Sequence, residues 1–363
     1  MIRVCEPHFS QDDRERLLRA LDRNEIAKGA DLHAAEDLLA RATAGHPVRM
    51  VANGTVACHL CMLAMDVSPG DKIGVPALTY VATANAVRYQ GAQPVFLDAR
   101  PDRPTVAASC IDEVKAAGAR GLWLVHLYGK LVDDAPALVS RATKAGLFVV
   151  EDVAEGLGGT VAGQPAGSFG KVSAFSFYAN KNITSGEGGA VAAESAELLA
   201  KLSLLLNQGV SAGGSFDHEI IGYNYRLTNL QAALLVGQLE RIDQIAADKR
   251  RLQSLYEGHL AGCSLGKMLR FDATEVPWLA CFVVDDPAAR ERVIKALADE
   301  EIETRRGFTP IPCLKPYGAM KDGELAERFP NARSWSRRLI NLPSALSLTE
   351  QEVQRIASVI LHA

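Results

Sequence analysis

No apolar run in the 363-residue sequence is long enough to cross a bilayer. The opening stretch, "MIRVCEPHFSQDDRERLL", lacks the apolar centre of a secretion signal. Charge of one sign is also missing. The formal net charge is −4, which supplies no basic footprint for nucleic acid or an anionic membrane. There is no internal repeat and no low-complexity tract. A paired cysteine framework is absent too. Cys5, Cys58, Cys61, Cys110, Cys263, Cys281 and Cys313 are odd in number and scattered, as expected of reduced thiols in a cytoplasm. Cys58 and Cys61 form a C-x-x-C with no second pair or ligand cluster beside it. "TVACHLCMLAM" reads as a buried helix, so core packing is expected there and no metal site.

What is present is a long chain with 48% hydrophobic residues, more than one core accommodates. Short apolar runs alternate with helix-like stretches: "HPVRMVA", "KIGVPA", "QPVFLDA", "GLWLVHLYG", "LFVVEDVA", "VSAFSFY" and "GAVAAE". The runs are continuous, which indicates burial on both faces and hence a mostly parallel sheet covered by helices. The expected fold class is α/β, with a smaller C-terminal α+β domain. The predicted division is residues 1–244, including the N-terminal segment, and 245–363. A long helix over "TNLQAALLVGQLERIDQIAADKRRLQSLYEGHL" should bridge them, and "ARSWSRRLI" reads as an amphipathic helix.

In a parallel sheet, ligands sit beyond the carboxyl ends of strands. Several chemically distinctive residues fall at such ends. Asn53, Gly54 and Thr55 open a helix after the first strand, where free N–H groups suit a phosphate; ordinary helix capping is the plainer alternative. Tyr80 follows another strand. Glu151 and Asp152 end a third, where a carboxylate must pair with a cation, bind a metal or shift its pKa; helix capping by Asp152 is again the plainer alternative. Ser176 ends a fourth, and Lys181 follows it in "FSFYANKNITSGEGGAV". Alone, Lys181 would read as a solvated turn lysine. Together the four features match pyridoxal 5′-phosphate (PLP). Its aldehyde condenses with a lysine, its ring nitrogen needs a carboxylate, its ring stacks on an aromatic face, and its phosphate takes N–H and hydroxyl donors.

The chain resembles the nucleotide-sugar aminotransferases of the DegT/DnrJ/StrS type, PLP enzymes of fold type I. The likeness is carried by "VANGTVACHL", "VPALTYVATANAVRYQGAQPVFLD", "VHLYG", "VEDVAEGLGG", "FSFYANKNITSGEGGAV", "GYNYRLTNLQAALLVGQLERID" and "NLPSALSLTEQE". It implies that Lys181 and Asp152 are catalytic, Lys181 forming the Schiff base and Asp152 facing the pyridine nitrogen. It implies that Tyr80 stacks on the ring and that Gly54, Thr55 and Ser176 hold the phosphate. Asn224 would reach the phosphate of a neighbouring subunit, making the protein a homodimer with shared sites, and Arg226 would shape that loop. Glu155 departs from the glutamine most common at its position, where the side chain contacts the coenzyme's phenolic oxygen. A lysine at 181, where the family's dehydratases carry histidine, argues for transamination.

By the same likeness the reaction is a two-stage exchange through pyridoxamine phosphate, with an amino donor, L-glutamate, and a keto sugar nucleotide. The short turn after Lys181 is similar to members that aminate a 4-keto-6-deoxyhexose, giving a perosamine- or viosamine-like product. Alternatives are a 3-keto sugar nucleotide, a cyclitol ketone, or a non-catalytic PLP- or sugar-binding relative. Candidate substrate contacts are Lys28, His126, Arg305, Lys315 and Tyr317, with Arg306 beside them. A cytoplasmic enzyme that binds neither nucleic acid nor membrane is expected.

Overall fold

The computed structural model describes residues 1–211 and 217–363. The chain first lays down β1 (Val48–Val51), β2 (Lys72–Pro76), β3 (Gln93–Leu97), β4 (Gly121–Val125) and β5 (Phe148–Asp152). A two-residue hairpin of β6 (Thr160–Val161) and β7 (Gln164–Pro165) precedes β8 (Val172–Ser176) and β9 (Gly189–Ala193). Seven of these form one sheet in the order β1-β9-β8-β5-β4-β2-β3. All pairs between β8 and β3 are parallel; β9 runs antiparallel to both its neighbours. The reason is the connection. Parallel neighbours need a crossover helix, whereas β8 returns directly into β9 through the loop 177–188. Lys181 lies on that loop.

Helices cover both faces, and strand alternation divides the core accordingly. Along β4, Leu122 and Leu124 enter one apolar layer with Leu39, Leu138 and Leu235. Trp123 and Val125 enter the other with Leu60, Val87 and Leu202. This two-sided burial is what makes the strands read as continuous apolar runs.

A second sheet of β10 (Gly266–Met268), β11 (Ala280–Val284), β12 (Arg305–Arg306) and β13 (Leu339–Leu342) has the order β10-β11-β13-β12, all antiparallel. Helices Ile242–His259, Pro287–Asp299 and Glu350–Leu361 pack on it. The N-terminal residues join this side: Ile2 bridges Ile302, and the Val4 carbonyl accepts from the Ser344 N–H. Two expectations change. The long bridging helix is broken at Arg241 (φ −106°, ψ 20°) into Asn229–Glu240 and Ile242–His259. The end of "ARSWSRRLI" is not helix, because Leu339–Leu342 pairs with β11 and β12 as an inner strand.

Candidate active site

Strands of the large sheet deliver their ends to one cavity of about 480 Å³. It is lined by Asn53, Gly54 and Thr55 after β1, Thr79 and Tyr80 after β2, Asp152 at the end of β5 and Ser176 at the end of β8. The second sheet closes it with Arg305, Arg306 and Asn341, and Trp278, just ahead of β11, joins them. At one end, Asn53 caps the helix Gly54–Ala64 by accepting from the Val56 N–H at 3.0 Å. That leaves the N–H groups of Gly54 and Thr55 without intrahelical acceptors. Gly54 is required by proximity: a Cβ there would lie 2.7 Å from the Ser176 Cβ. The helix start and the Ser176 hydroxyl are thereby held together.

Glu151 and Asp152 are adjacent, so strand geometry sends them to opposite faces. Asp152 faces the cavity, accepting from Thr83 Oγ1 at 2.8 Å and the Ala154 N–H at 3.1 Å. Cys58 Sγ lies 3.9 Å from Asp152 Oδ2. Burial, then the nearby carboxylate, raises the Cys58 pKa well above the ordinary value, so the thiol stays protonated. On the other face Glu151 is fully buried and accepts from His126, Ser173 and the N–H groups of Gly167, Phe169 and Gly170. Burial alone would push its pKa up, but these donors, His126 foremost, hold it below the ordinary value.

Lys181 reaches the cavity between an acid and an indole. Its Nζ is 3.3 Å from Glu155 Oε1 and 3.8 Å from the centre of the Trp278 ring. Glu155 also accepts from the Tyr128 N–H at 2.7 Å. Burial raises the Glu155 pKa above the ordinary value, and the charge of Lys181 offsets part of that rise. The chemistry on offer is an amine beside a buried carboxyl, a second carboxylate in the floor, and N–H and hydroxyl donors at one end.

The DegT/DnrJ/EryC1/StrS aminotransferase family matches residues 7–361. The chain belongs to that family. The aminotransferase is 36% identical over 366 residues to a Vibrio cholerae protein named GDP-perosamine synthase, covering 99% of this chain and 98% of the relative. It is 34% identical over 360 residues to the GDP-perosamine synthase of Escherichia coli O157:H7, covering 99% and 97%. Among solved structures, the PLP form of the sugar aminotransferase Spr1654 from Streptococcus pneumoniae superposes with a TM-score of 0.91 at 24% identity, covering 99% and 97%; that likeness bears on the fold. The chain is a PLP-dependent sugar aminotransferase, and its cofactor is PLP. The donor set fits that group, with anion donors at one end of the cavity, a carboxylate in its floor and an amine at its side.

The aminotransferase brings together Gly54, Thr55, Tyr80, Asp152, Glu155, Ser176, Lys181 and Arg305. Tyr80 is exposed and lies against Phe308, with ring centres 5.9 Å apart. The other substrate candidates differ. His126 lines the cavity but is fully buried and its ring is committed: Nδ1 accepts from the Val132 N–H at 3.2 Å and Nε2 donates to Glu151 at 2.9 Å. It offers a substrate no ring nitrogen. Tyr317 donates to Asn85 at 2.6 Å and packs on Phe96. Lys315 and Lys28 are exposed, and neither lines the cavity. Asn224 also lies off the cavity of its own chain. Its Oδ1 accepts from Arg226 Nε at 3.2 Å and Nη2 at 2.9 Å, while Arg226 Nη1 donates to Asn207. Arg306 is tied to Glu291, whereas the one ionic contact of Arg305 among the described residues is Glu303 at 3.8 Å. Trp278 and Thr83 were not foreseen. Each touches a key side chain through space, and no local motif announces it.

Proposed function

We propose that the protein transfers an amino group from L-glutamate to a 4-keto-6-deoxyhexose carried on a nucleoside diphosphate, giving a perosamine-like product. The supporting observation is the convergence of Lys181, Asp152 and the Gly54–Thr55 helix start in one cavity. It is joined by full-length similarity to proteins named GDP-perosamine synthase. When bound, PLP supplies an aldehyde that exchanges amines and a ring that accepts electron density.

Each residue has an assigned task in this reading. Lys181 Nζ holds the coenzyme and, once displaced by the donor's amine, carries the proton that leaves the donor's α-carbon. Asp152, oriented by Thr83 and the Ala154 N–H, keeps a proton on the pyridine nitrogen. The Gly54 and Thr55 N–H groups and the Thr55 and Ser176 hydroxyls bind the phosphate. Tyr80 covers the ring, and Glu155 stands by the phenolic oxygen. Burial raises its pKa above the ordinary value, the direction that favours the protonated form able to donate. Arg305 meets the substrate diphosphate. Asn224, whose Oδ1 is held by Arg226, presents its amide nitrogen to the phosphate in a partner subunit of a cytoplasmic homodimer.

The test is purified protein with L-glutamate and a nucleoside-diphosphate 4-keto-6-deoxyhexose. We expect one 2-oxoglutarate per amino sugar formed, and no turnover with Lys181→Ala. Turnover of a cyclitol ketone or a 3-keto sugar nucleotide in place of the 4-keto substrate would refute the substrate assignment.

A further inference from the structure

We propose that Trp278 is the positioning residue for the Lys181 amine, its indole face holding Nζ whenever the coenzyme does not. The inference rests on the assignment of Lys181 as the exchanging amine. A lysine side chain is a flexible stem with a charged head. Something must keep that head from wandering while, displaced by the donor, it carries the proton taken from the donor's α-carbon. An amine held near the reacting carbon reacts as a preorganised group; one free in the cavity does not.

The geometry around Trp278 is built for that task. Nζ sits 3.8 Å from the ring centre, well inside the roughly 6 Å within which a cation is attracted to an indole face. The turn that carries Lys181 is stapled to the same segment on both sides. Asn180 O accepts from Trp278 Nε1 at 2.7 Å, and Asn182 Nδ2 donates to Pro277 O at 3.2 Å. The indole is itself fixed. Its backbone N–H donates to Tyr128 O at 2.9 Å, and its ring stacks on Tyr128 at an interplanar angle of 10°. Tyr128 in turn stacks on Phe308 and adopts a left-handed φ of 60°, a conformation a bulky residue keeps only where its surroundings demand it.

Just upstream, buried Glu275 accepts from Arg103 at 2.8 Å and Lys130 at 2.5 Å, and from the Leu131 N–H at 2.8 Å. These contacts lock the approach to Trp278 onto the large sheet's loops. The amine's resting place is therefore bounded by Glu155 at 3.3 Å on one side and, on the other, by an indole from the far part of the chain that an aromatic stack and an ionic clamp hold in place.

The experiment labels lysines in cofactor-free protein by reductive methylation and measures Lys181 against exposed Lys295 by peptide mass spectrometry. In Trp278→Leu the Lys181 labelling rate should rise about tenfold over wild type, and Trp278→Phe should restore most of the protection. A turnover assay should give a fall in kcat for the leucine variant, with KM for both substrates within about twofold. Fluorinated tryptophan provides a test that leaves the packing intact. Replacing the three tryptophans with mono- and difluoro analogues weakens the ring's attraction for a cation, and Lys181 labelling should rise with each fluorine. Equal labelling of the phenylalanine and leucine variants, or no response to fluorination, overturns the proposal. Failure of PLP to protect Lys181 in the wild type overturns the attachment assignment, and this proposal with it.

Discussion

Gly54→Ala puts the phosphate end of the site under a defined strain. The new Cβ would stand 2.7 Å from the Ser176 Cβ, 3.0 Å from its Oγ and 3.4 Å from its Cα. Carbon atoms in contact settle at about 3.5–4.0 Å, so the helix start and the end of β8 must part by roughly 1 Å. Overpacking of this size costs about 1–3 kcal/mol. Alanine recovers up to ~1 kcal/mol of helix propensity, less in a first turn, so a net loss of about 1–2 kcal/mol is expected. The same movement displaces the Gly54 and Thr55 N–H groups. A hydrogen bond to a charged group is worth about 1.5–3 kcal/mol, so coenzyme affinity should fall by about tenfold to a hundredfold. Urea unfolding of cofactor-free protein reads the first effect, and an absorbance titration with PLP reads the second. Ser176→Gly removes the opposing Cβ, so the double variant should regain stability while affinity stays low because the hydroxyl is gone. A double-mutant cycle with no stabilising coupling, or a Gly54→Ala protein that binds PLP as wild type does, refutes the reasoning.

Two further predictions concern buried ionisable groups, and both are read by chemical unfolding of cofactor-free protein across pH. Burial raises the Glu155 pKa above its ordinary 4.5, so its contribution to stability is present below that value and lost as pH rises through the folded pKa. Glu155→Gln should therefore gain on wild type as pH rises from about 4.5; a flat difference, or one moving in favour of wild type, contradicts this. Lys249 is buried, donates to Ser344 O at 2.7 Å, and burial lowers its pKa to about 8. Its contribution is present above the unfolded value of 10.5 and lost as pH falls through about 8. At pH 7 Lys249→Met should be more stable by up to about 3 kcal/mol, less what the Ser344 hydrogen bond contributes. The advantage should shrink between pH 8 and 10.5, and a constant difference would count against it.

The large sheet was legible because its strands are buried on both sides. Continuous apolar runs such as Gly121–Val125, and residues 148–150 ahead of Glu151 and Asp152, mark such strands. Their carboxyl ends then point to the cavity before any side chain is placed. Local signals failed where tertiary pairing decided the outcome. Leu339–Leu342 follows a basic helix end and reads as its continuation, yet β11 and β12 claim it from either side. The helix break at Arg241 also has no punctuating glycine or proline. Arg241 instead turns its side chain back to Ser10 and Asp13 of the N-terminal helix, 231 and 228 residues earlier.

The candidate site divides along the same line. Residues that act from a strand end or a helix start, such as Asp152, Ser176 and Thr55, announce themselves by position. Residues that act by covering another side chain do not. Trp278 lies 98 residues from Asn180, whose carbonyl accepts from its indole, and its own surroundings read only as the start of a strand. His126 shows the converse. His126, just past the end of β4, does line the cavity, but its ring nitrogens serve another partner, because alternation along β5 sends Glu151 away from the cavity. Glu151 recruits the His126 ring to help saturate a carboxylate that also receives the loop N–H groups of Gly167, Phe169 and Gly170. Two neighbouring acids thus have separate tasks: Asp152 faces the coenzyme cavity, and Glu151 anchors the loop between β7 and β8 behind it. Exchanging their order would keep an acid on each face but change its reach by one methylene, pulling the shorter side chain back from the His126 ring and the loop N–H groups and pushing the longer one into the coenzyme cavity.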